Sequence, residues 1–337
     1  MFNIETEKRP VASSEFDTFD FHIPEIMPDE YFSGYLERFS RANGLKNVQL
    51  AIKSLKNTVR KNYPELKYFS TIWFFSNALN ISMNELIHRH TLWPLGKSLL
   101  SGAKCQLEEK TVLNTQKRNA LPSNMENEYI CRHCVEEDLK YWGFAYWRRS
   151  HAIPGIEWCS KHNKCLESAI SKKSFQNPPS FYISNNLTNS IEDSEINKQY
   201  PFLVRYMQIT SDFVEVDILL DDQSAKSTII NKMKSNKPLG TKFFVSKEID
   251  SLMSEKLPQN WIKKYHPSLL DPIGYPVCTG WGYRNILTNS SSNGRTLINM
   301  LILFALLFED TDEALVEIKN AHLNQPSTQI LSASTAN

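Results

Sequence analysis

The sequence predicts a mainly α-helical chain in three parts, two helical units with a small metal-tied module between them. Three observations carry this prediction. Apolar residues recur at helical spacing between recognisable starts and stops from Pro24 to Pro94. Two short pairs, Cys131-x-x-Cys134 and Cys159-x-x-His162, fall in mid-chain at ligand spacing. Helical spacing then resumes beyond a Ser-, Asn- and Pro-rich stretch. The expected divisions are a flexible arm at 1–20, a helical domain at 21–100, a connector at 101–130, the metal module at 131–170, a linker at 171–198, a second helical domain at 199–323 and a flexible tail at 324–337.

Residues 1–20 mix charged and small polar side chains with no helical or strand period, the composition of a disordered arm. Pro28-Asp29-Glu30 supplies a helix start with Asp29 as its cap, and Tyr31, Tyr35, Leu36 and Phe39 follow at helical spacing until the stop at Asn43-Gly44. From Val48 to Tyr63, Leu50, Ala51, Leu55 and Val59 share one side while Lys53, Lys56 and Arg60 share another. Helix, Asn-Gly turn and basic helix make a helix-turn-helix-like outline whose stripe would meet a phosphate backbone; the competing reading is an ordinary solvated face. Leu66 to Leu79 carries aromatics on more than one side, which predicts a helix buried between neighbours. Ser82 with Glu85 fits a capping box for a short helix through Ile87. His88 and His90, ahead of Trp93-Pro94, read as packing or hydrogen-bonding residues.

The mid-chain pairs define the candidate metal site. Cys131, Cys134, Cys159 and His162 offer thiolate and imidazole donors, a set that suits Zn²⁺. Four protein ligands leave no open position for water, so the site is structural and no zinc catalysis is expected. His133, His151 and Cys165 lie close by but outside the knuckle spacing and rank below the four. The result is a small treble-clef-like zinc module. Between the pairs stand Tyr146-Trp147-Arg148-Arg149, His151 and the turn Pro154-Gly155. Arg148 and Arg149 beside aromatics can clamp phosphate or stack on bases. Equally, Tyr146 and Trp147 can fill the space behind the metal with the arginine stems laid over them. The sequence leaves both open.

Beyond the linker, Phe202, Leu203, Tyr206, Met207 and Phe213 hold helical spacing, as do Ile229, Ile230 and Met233. Phe243 to Val245 precede a Ser246 cap and a helix from Ile249 to Leu257. Lys232, Lys234 and Lys237 add positive charge, best read as a solvated face. Pro272 to Gly282 is rich in turn signals, and its Cys278 reads as an unligated thiol. Leu297 to Phe308 predicts a fully apolar helix at the core of this unit.

Composition bounds the function. With 38 Lys+Arg against 37 Asp+Glu the formal charge is +1, so the chain is no polycation and any nucleic-acid contact must be local. Six cysteines, most of them in or beside the pairs, fit metal ligation in a reducing compartment better than a disulfide framework. The N-terminal run is polar and acidic, without a signal-peptide pattern, and Leu297 to Phe308 is shorter than the about 20 residues a membrane span needs. A cytoplasmic protein without membrane partners is expected. There is no phosphate loop, H-E-x-x-H, nucleophile elbow or carboxylate cluster for two-metal chemistry.

The run CRHCVEEDLKYWGFAYWRRSHAIPGIEWCSKHNKCL, Cys131 to Leu166, resembles the TniQ/TnsD family of transposon target-selection proteins. The family pattern is C-x-x-C, an acidic spacer, Gly, Tyr-Trp-Arg-Arg, His, Pro-Gly and C-x-x-H. Arg132 stands where Pro is usual and Asn163 where Gly is usual; Asn tolerates the left-handed backbone such a turn requires. Ile23 to Leu45 and His90 to Leu95 resemble the family's opening and pre-zinc segments, with a weaker echo near Leu297 to Phe308. The resemblance implies a non-catalytic adaptor that binds double-stranded target DNA at an attachment site and recruits the transposon's AAA+ ATPase regulator, which positions the transposase. Docking on an RNA-guided CRISPR effector, as implied for shorter TniQ-type members, is the alternative. Two readings from other classes compete: a zinc-stabilised nuclease with His133 or His151 as general base beside Mg²⁺, and an ordinary helix-turn-helix regulator.

Overall fold

The computed structural model describes residues 21–63, 70–97, 128–170, 175–215, 222–236, 252–253, 255–265 and 294–323. Local capping sets the first helices. Helix α1 (Phe32–Ala42) ends where Gly44 takes the left-handed conformation, φ +64°, that lets the chain leave a helix. Helix α2 (Val48–Asn62) starts from Asn47, whose side chain accepts the Leu50 amide at 2.9 Å. Helix α3 (Thr71–Ala78) is capped by Ser70, and α4 (Met83–His90) by Ser82 through the Glu85 amide at 3.0 Å; a short α5 (Trp93–Lys97) follows. Helices α1 and α3 share an aromatic core. The Phe75 ring meets Phe32, Tyr35, Phe39 and Phe74 edge-on with centroids 5.0 to 5.9 Å apart, each pair adding about 0.5–1.5 kcal/mol beyond its buried area.

Asp29 is not the cap of α1. The helix begins at Phe32 behind Tyr31, and Asp29 sits before it in the left-handed region at φ +57°. Its carboxylate accepts the Ser150 hydroxyl at 2.5 Å, across 121 residues of sequence. Local propensity favours an acidic cap, but the long-range partner prevails.

The remaining described residues of this unit form a three-stranded antiparallel sheet in the order β1 (Tyr129–Ile130), β2 (Glu167–Ala169), β3 (Thr188–Ser190), with short helices around it. Tyr129 faces Ser168, and Ser168 faces Asn189. The helices are α6 (Arg132–Trp142), α7 (Arg149–Ala152), α8 (Pro179–Ser184) and α9 (Ser194–Asn197). The span expected as a linker therefore carries two helices and the third strand. A few buried apolar side chains, Phe175, Tyr182 and Ile191, pin this otherwise polar stretch in place.

The helical part and the metal module, expected as separate domains, belong to one unit: the described residues of 21–94 and 128–199 cluster together. Phe175 packs edge-on against Tyr31 (5.2 Å) and Trp147 (5.4 Å), joining the two parts through one aromatic cluster. Gly34 of α1 lies so close to Trp147 that an added Cβ would be 2.8 Å from the Trp147 Cβ.

The helices after Tyr200 belong to a second unit: α10 (Pro201–Glu215), α11 (Asp222–Asn236), α12 (Gln259–Tyr265), α13 (Gly294–Leu307) and α14 (Thr311–Leu323). Phe202, Leu203, Tyr206, Met207 and Phe213 are buried, and Met300 to Phe308 form the apolar centre of α13 and its end. Lys232 lies on a local ion pair, with Nζ 2.5 Å from Glu313 and 4.5 Å from the Phe308 ring centroid. The arm, most of the connector, Lys237, the Phe243–Ser246 segment, the beginning of the Ile249 helix, Pro272 to Gly282 with Cys278, and the tail lie outside the described residues. Among the described residues no helix is long and apolar enough to cross a membrane.

Candidate metal centre

The two ligand pairs reach the same point from different kinds of backbone. Cys131 immediately precedes α6 and Cys134 lies in its first turn, so both sulfurs sit at the positive end of a helix, where thiolate is favoured. The second pair sits on a hairpin. Trp158 and Cys165 face each other as an antiparallel bridge, the Cys159 amide donates to the Lys164 carbonyl at 2.8 Å, and the Asn163 amide donates back to Cys159 at 2.7 Å. Asn163 takes φ +51°, the left-handed turn its side chain tolerates. Gly155, at φ +80°, turns the chain towards this hairpin.

The four ligand atoms lie within 4.8 Å of one another and together could hold a metal ion. Nδ1 of His162 is 3.3 Å from Cys134 Sγ, 3.5 Å from Cys131 Sγ and 3.6 Å from Cys159 Sγ, and the Cys134 and Cys159 sulfurs are 3.7 Å apart. Hydrogen bonding from Cys131 and then Cys134 holds the Cys159 thiol well below its usual range. The three cysteines are buried, so an ion held there has protein on every side contributed by them.

A residue absent from the expected set completes the geometry. Glu137, one turn beyond Cys134 on α6, accepts the Nε2–H of His162 at 3.1 Å and is paired on its other oxygen with Lys161. Lys161 first, and His162 next, hold the Glu137 carboxyl down to about 2. Donation from Nε2 leaves the Nδ1 lone pair directed at the three sulfurs, which fixes the ligating tautomer. The acidic spacer after the first pair was the available signal.

Arg148 and Arg149 face inward. Arg148 donates to Asp138 Oδ1 at 2.6 Å and lies 4.7 Å over the Tyr146 ring; burial nonetheless pushes the Asp138 carboxyl up to about 6. Arg149 is buried, with Nε 3.4 Å from Asp29 Oδ1 and Nη1 on the His88 carbonyl. The expectation that this arginine pair reaches DNA does not fit that placement, because a guanidinium already paired inside must lose its partners before it can reach a phosphate.

The other candidates fall outside the quartet. His151 is buried with Nε2 3.9 Å from Cys134 Sγ, and its burial lowers the imidazole to about 4, keeping it neutral. His133 is exposed, its ring 5.5 Å from that of His162. Cys165 donates to Glu195 Oε1 at 3.0 Å. His90 donates from Nδ1 to the Glu30 carbonyl at 2.9 Å, a packing role. On α2, Ala51, Leu55 and Val59 are buried, whereas Lys53 and Arg60 are exposed and Lys56 is half-buried.

No curated protein matches the chain. A family model, TniQ, matches residues 22–166, a span that begins before α1 and ends just past the second ligand pair. TniQ is a family of transposition-associated adaptors. Residues 22–166, which hold the first helices and the Cys131, Cys134, Cys159 and His162 quartet, match the TniQ family.

Proposed function

We propose that this protein is a non-catalytic target-site selection adaptor in DNA transposition, built on a structural zinc. The TniQ match over the helices and the metal quartet is the observation that carries this reading. For Zn²⁺, bonds of about 2.3 Å to sulfur and about 2.0 Å to nitrogen imply tetrahedral edges of about 3.8 Å between sulfurs and about 3.5 Å from sulfur to nitrogen. The distances of 3.7 Å and of 3.3 to 3.6 Å fit both edges. Cys131, Cys134, Cys159 and Nδ1 of His162 are the ligands, and the ion supplies a fixed crosslink between α6 and the hairpin.

Double-stranded target DNA is held by Lys53, Lys56 and Arg60, on the side of α2 turned away from its buried residues. Arg148 and Arg149 have a packing role in this reading. The AAA+ ATPase regulator of the transposon is the second partner, with the transposase reached through it. Docking on a CRISPR effector in place of an attachment site is the alternative route to the target. The nuclease reading is weakened by the burial of His151, which keeps that imidazole from a duplex.

The test is a gel shift with duplex DNA beside incubation of plasmid with Mg²⁺. A shift without cleavage, lost at raised salt, is expected. Nicking of the plasmid contradicts the adaptor reading, and absence of a shift leaves the guided route. Capture of an ATPase only in the presence of ATP separates the adaptor from a helix-turn-helix regulator.

A further inference from the structure

We infer that the metal centre holds the α1–α2 helix pair in place from a distance, through the run Tyr146–His151, with Asp29 as the latch between them. The run is suspended between the two halves of the quartet. On one side, Arg148 is tied to Asp138, the neighbour of Glu137 on α6, and His151 lies against the Cys134 sulfur. On the other, Gly155 turns the chain into the Cys159 hairpin.

The opposite edge of the same run carries the start of the helical part. The Tyr31 amide donates to the Trp147 carbonyl at 2.8 Å, the Arg149 amide donates to the Asp29 carbonyl at 2.8 Å, and Glu30 faces Arg148 as an antiparallel bridge. These bonds make a short ladder between 29–31 and 147–149. Asp29 locks it with its side chain, accepting from the Ser150 hydroxyl at 2.5 Å, the Ser150 amide at 3.3 Å and Arg149 Nε at 3.4 Å. Its left-handed backbone, φ +57°, is one that the short polar side chain of Asp tolerates.

From the ladder the connection continues into α1. Glu30 is fully buried and receives both the Nε (2.9 Å) and Nη2 (2.6 Å) of Arg38, so the second turn of α1 is fixed to the ladder strand. Trp147 packs against Gly34 of the same helix, and α1 in turn packs on α2. Trp147 keeps its own support on Phe175, but Arg148 and His151 rest on α6 and the Cys134 sulfur, and that side of the run loses its backing once the quartet lets go. Loss of the metal then frees the ladder, and with it the helix that bears Lys53, Lys56 and Arg60. The consequence for DNA rests on the α2 reading above; the coupling itself does not.

Hydrogen exchange of the intact zinc-loaded protein, before and after chelation with phenanthroline, tests the coupling. Amides of residues 32–62 are expected to exchange at least about tenfold faster after chelation, alongside those of 131–166. Acceleration confined to 131–166 overturns the inference. Asp29→Ala guards against simple global unfolding: it should keep one zinc per chain yet raise exchange in α1 by about ten- to a hundredfold, the equivalent of losing bonds to a charged acceptor. Wild-type protection in zinc-loaded Asp29→Ala removes the latch. A loaded protein that shows both exchange changes but shifts no duplex supports the coupling and sinks only the DNA reading.

Discussion

Arg148→Ala separates a packing arginine from a DNA-contacting one, because the structure gives its stability cost a pH dependence. Arg148 shields Asp138, a residue 2% exposed whose carboxyl is pushed up to about 6 by burial. Burial dominates that rise, and the guanidinium opposes it. Without Arg148 the folded-state value climbs further. The group's folded value lies above its unfolded one, so its contribution is greatest at low pH and declines as pH rises towards the folded value. In the wild type that decline is complete just above pH 6. In the variant it continues, and the difference grows by about 1.4 kcal/mol per pH unit until the carboxyl stays ionised. The buried carboxyl thus accounts for at most about 1.4 kcal/mol at pH 7 and about 2.7 kcal/mol at pH 8, the limit in which it stays protonated throughout. Loss of the stacked Tyr146 contact and the arginine stem adds about 1–2 kcal/mol at either pH. Denaturant melts at pH 6.5, 7 and 8, with zinc content checked at each, give the values. A destabilisation flat across this range refutes the buried-pair argument. Unchanged stability with weakened DNA binding would show that Arg148 faces the duplex.

Three further outcomes follow from the same geometry. Glu137→Ala removes the acceptor that fixes His162, so zinc affinity measured by chelator competition should fall about 10- to 100-fold, with unchanged affinity as the contrary result. Replacing Lys53, Lys56 and Arg60 together by Ala should leave zinc content and melting intact while lowering the salt slope of DNA binding by about one per contacting cation; an unaltered slope places the contact elsewhere. Gly34→Ala drives a methyl to within 2.8 Å of the Trp147 Cβ, and about 1–3 kcal/mol of destabilisation is expected in a thermal melt. A melt equal to wild type would mean that α1 does not sit closely on Trp147.

The clustering of Cys131, Cys134, Cys159 and His162 was legible because its information is local: each pair is written in four consecutive residues, and the turn at Asn163 takes the conformation its side chain allows. The first helices were legible for the same reason, since Gly44 and Ser82 act on their immediate neighbours. Asp29 was misread where local and distant partners compete. As an acidic residue after Pro28 it resembles a cap, yet its carboxylate pairs with Ser150, which no spacing rule connects to it. Arg148 and Arg149 could not be oriented for a like reason, because Asp138 and Asp29 decide which way they point. The stretch after 171 hid its strand and helices in polar composition; Phe175, Tyr182 and Ile191, set among polar residues, were the sign that it docks.

X-ray absorption at the zinc edge of the purified chain tests the central claim most directly. Three sulfurs at about 2.3 Å and one nitrogen at about 2.0 Å are predicted, with one zinc per chain and no oxygen in the coordination sphere. A water or carboxylate oxygen bound to the metal, or zinc well below one per chain, would contradict a closed centre made by Cys131, Cys134, Cys159 and His162.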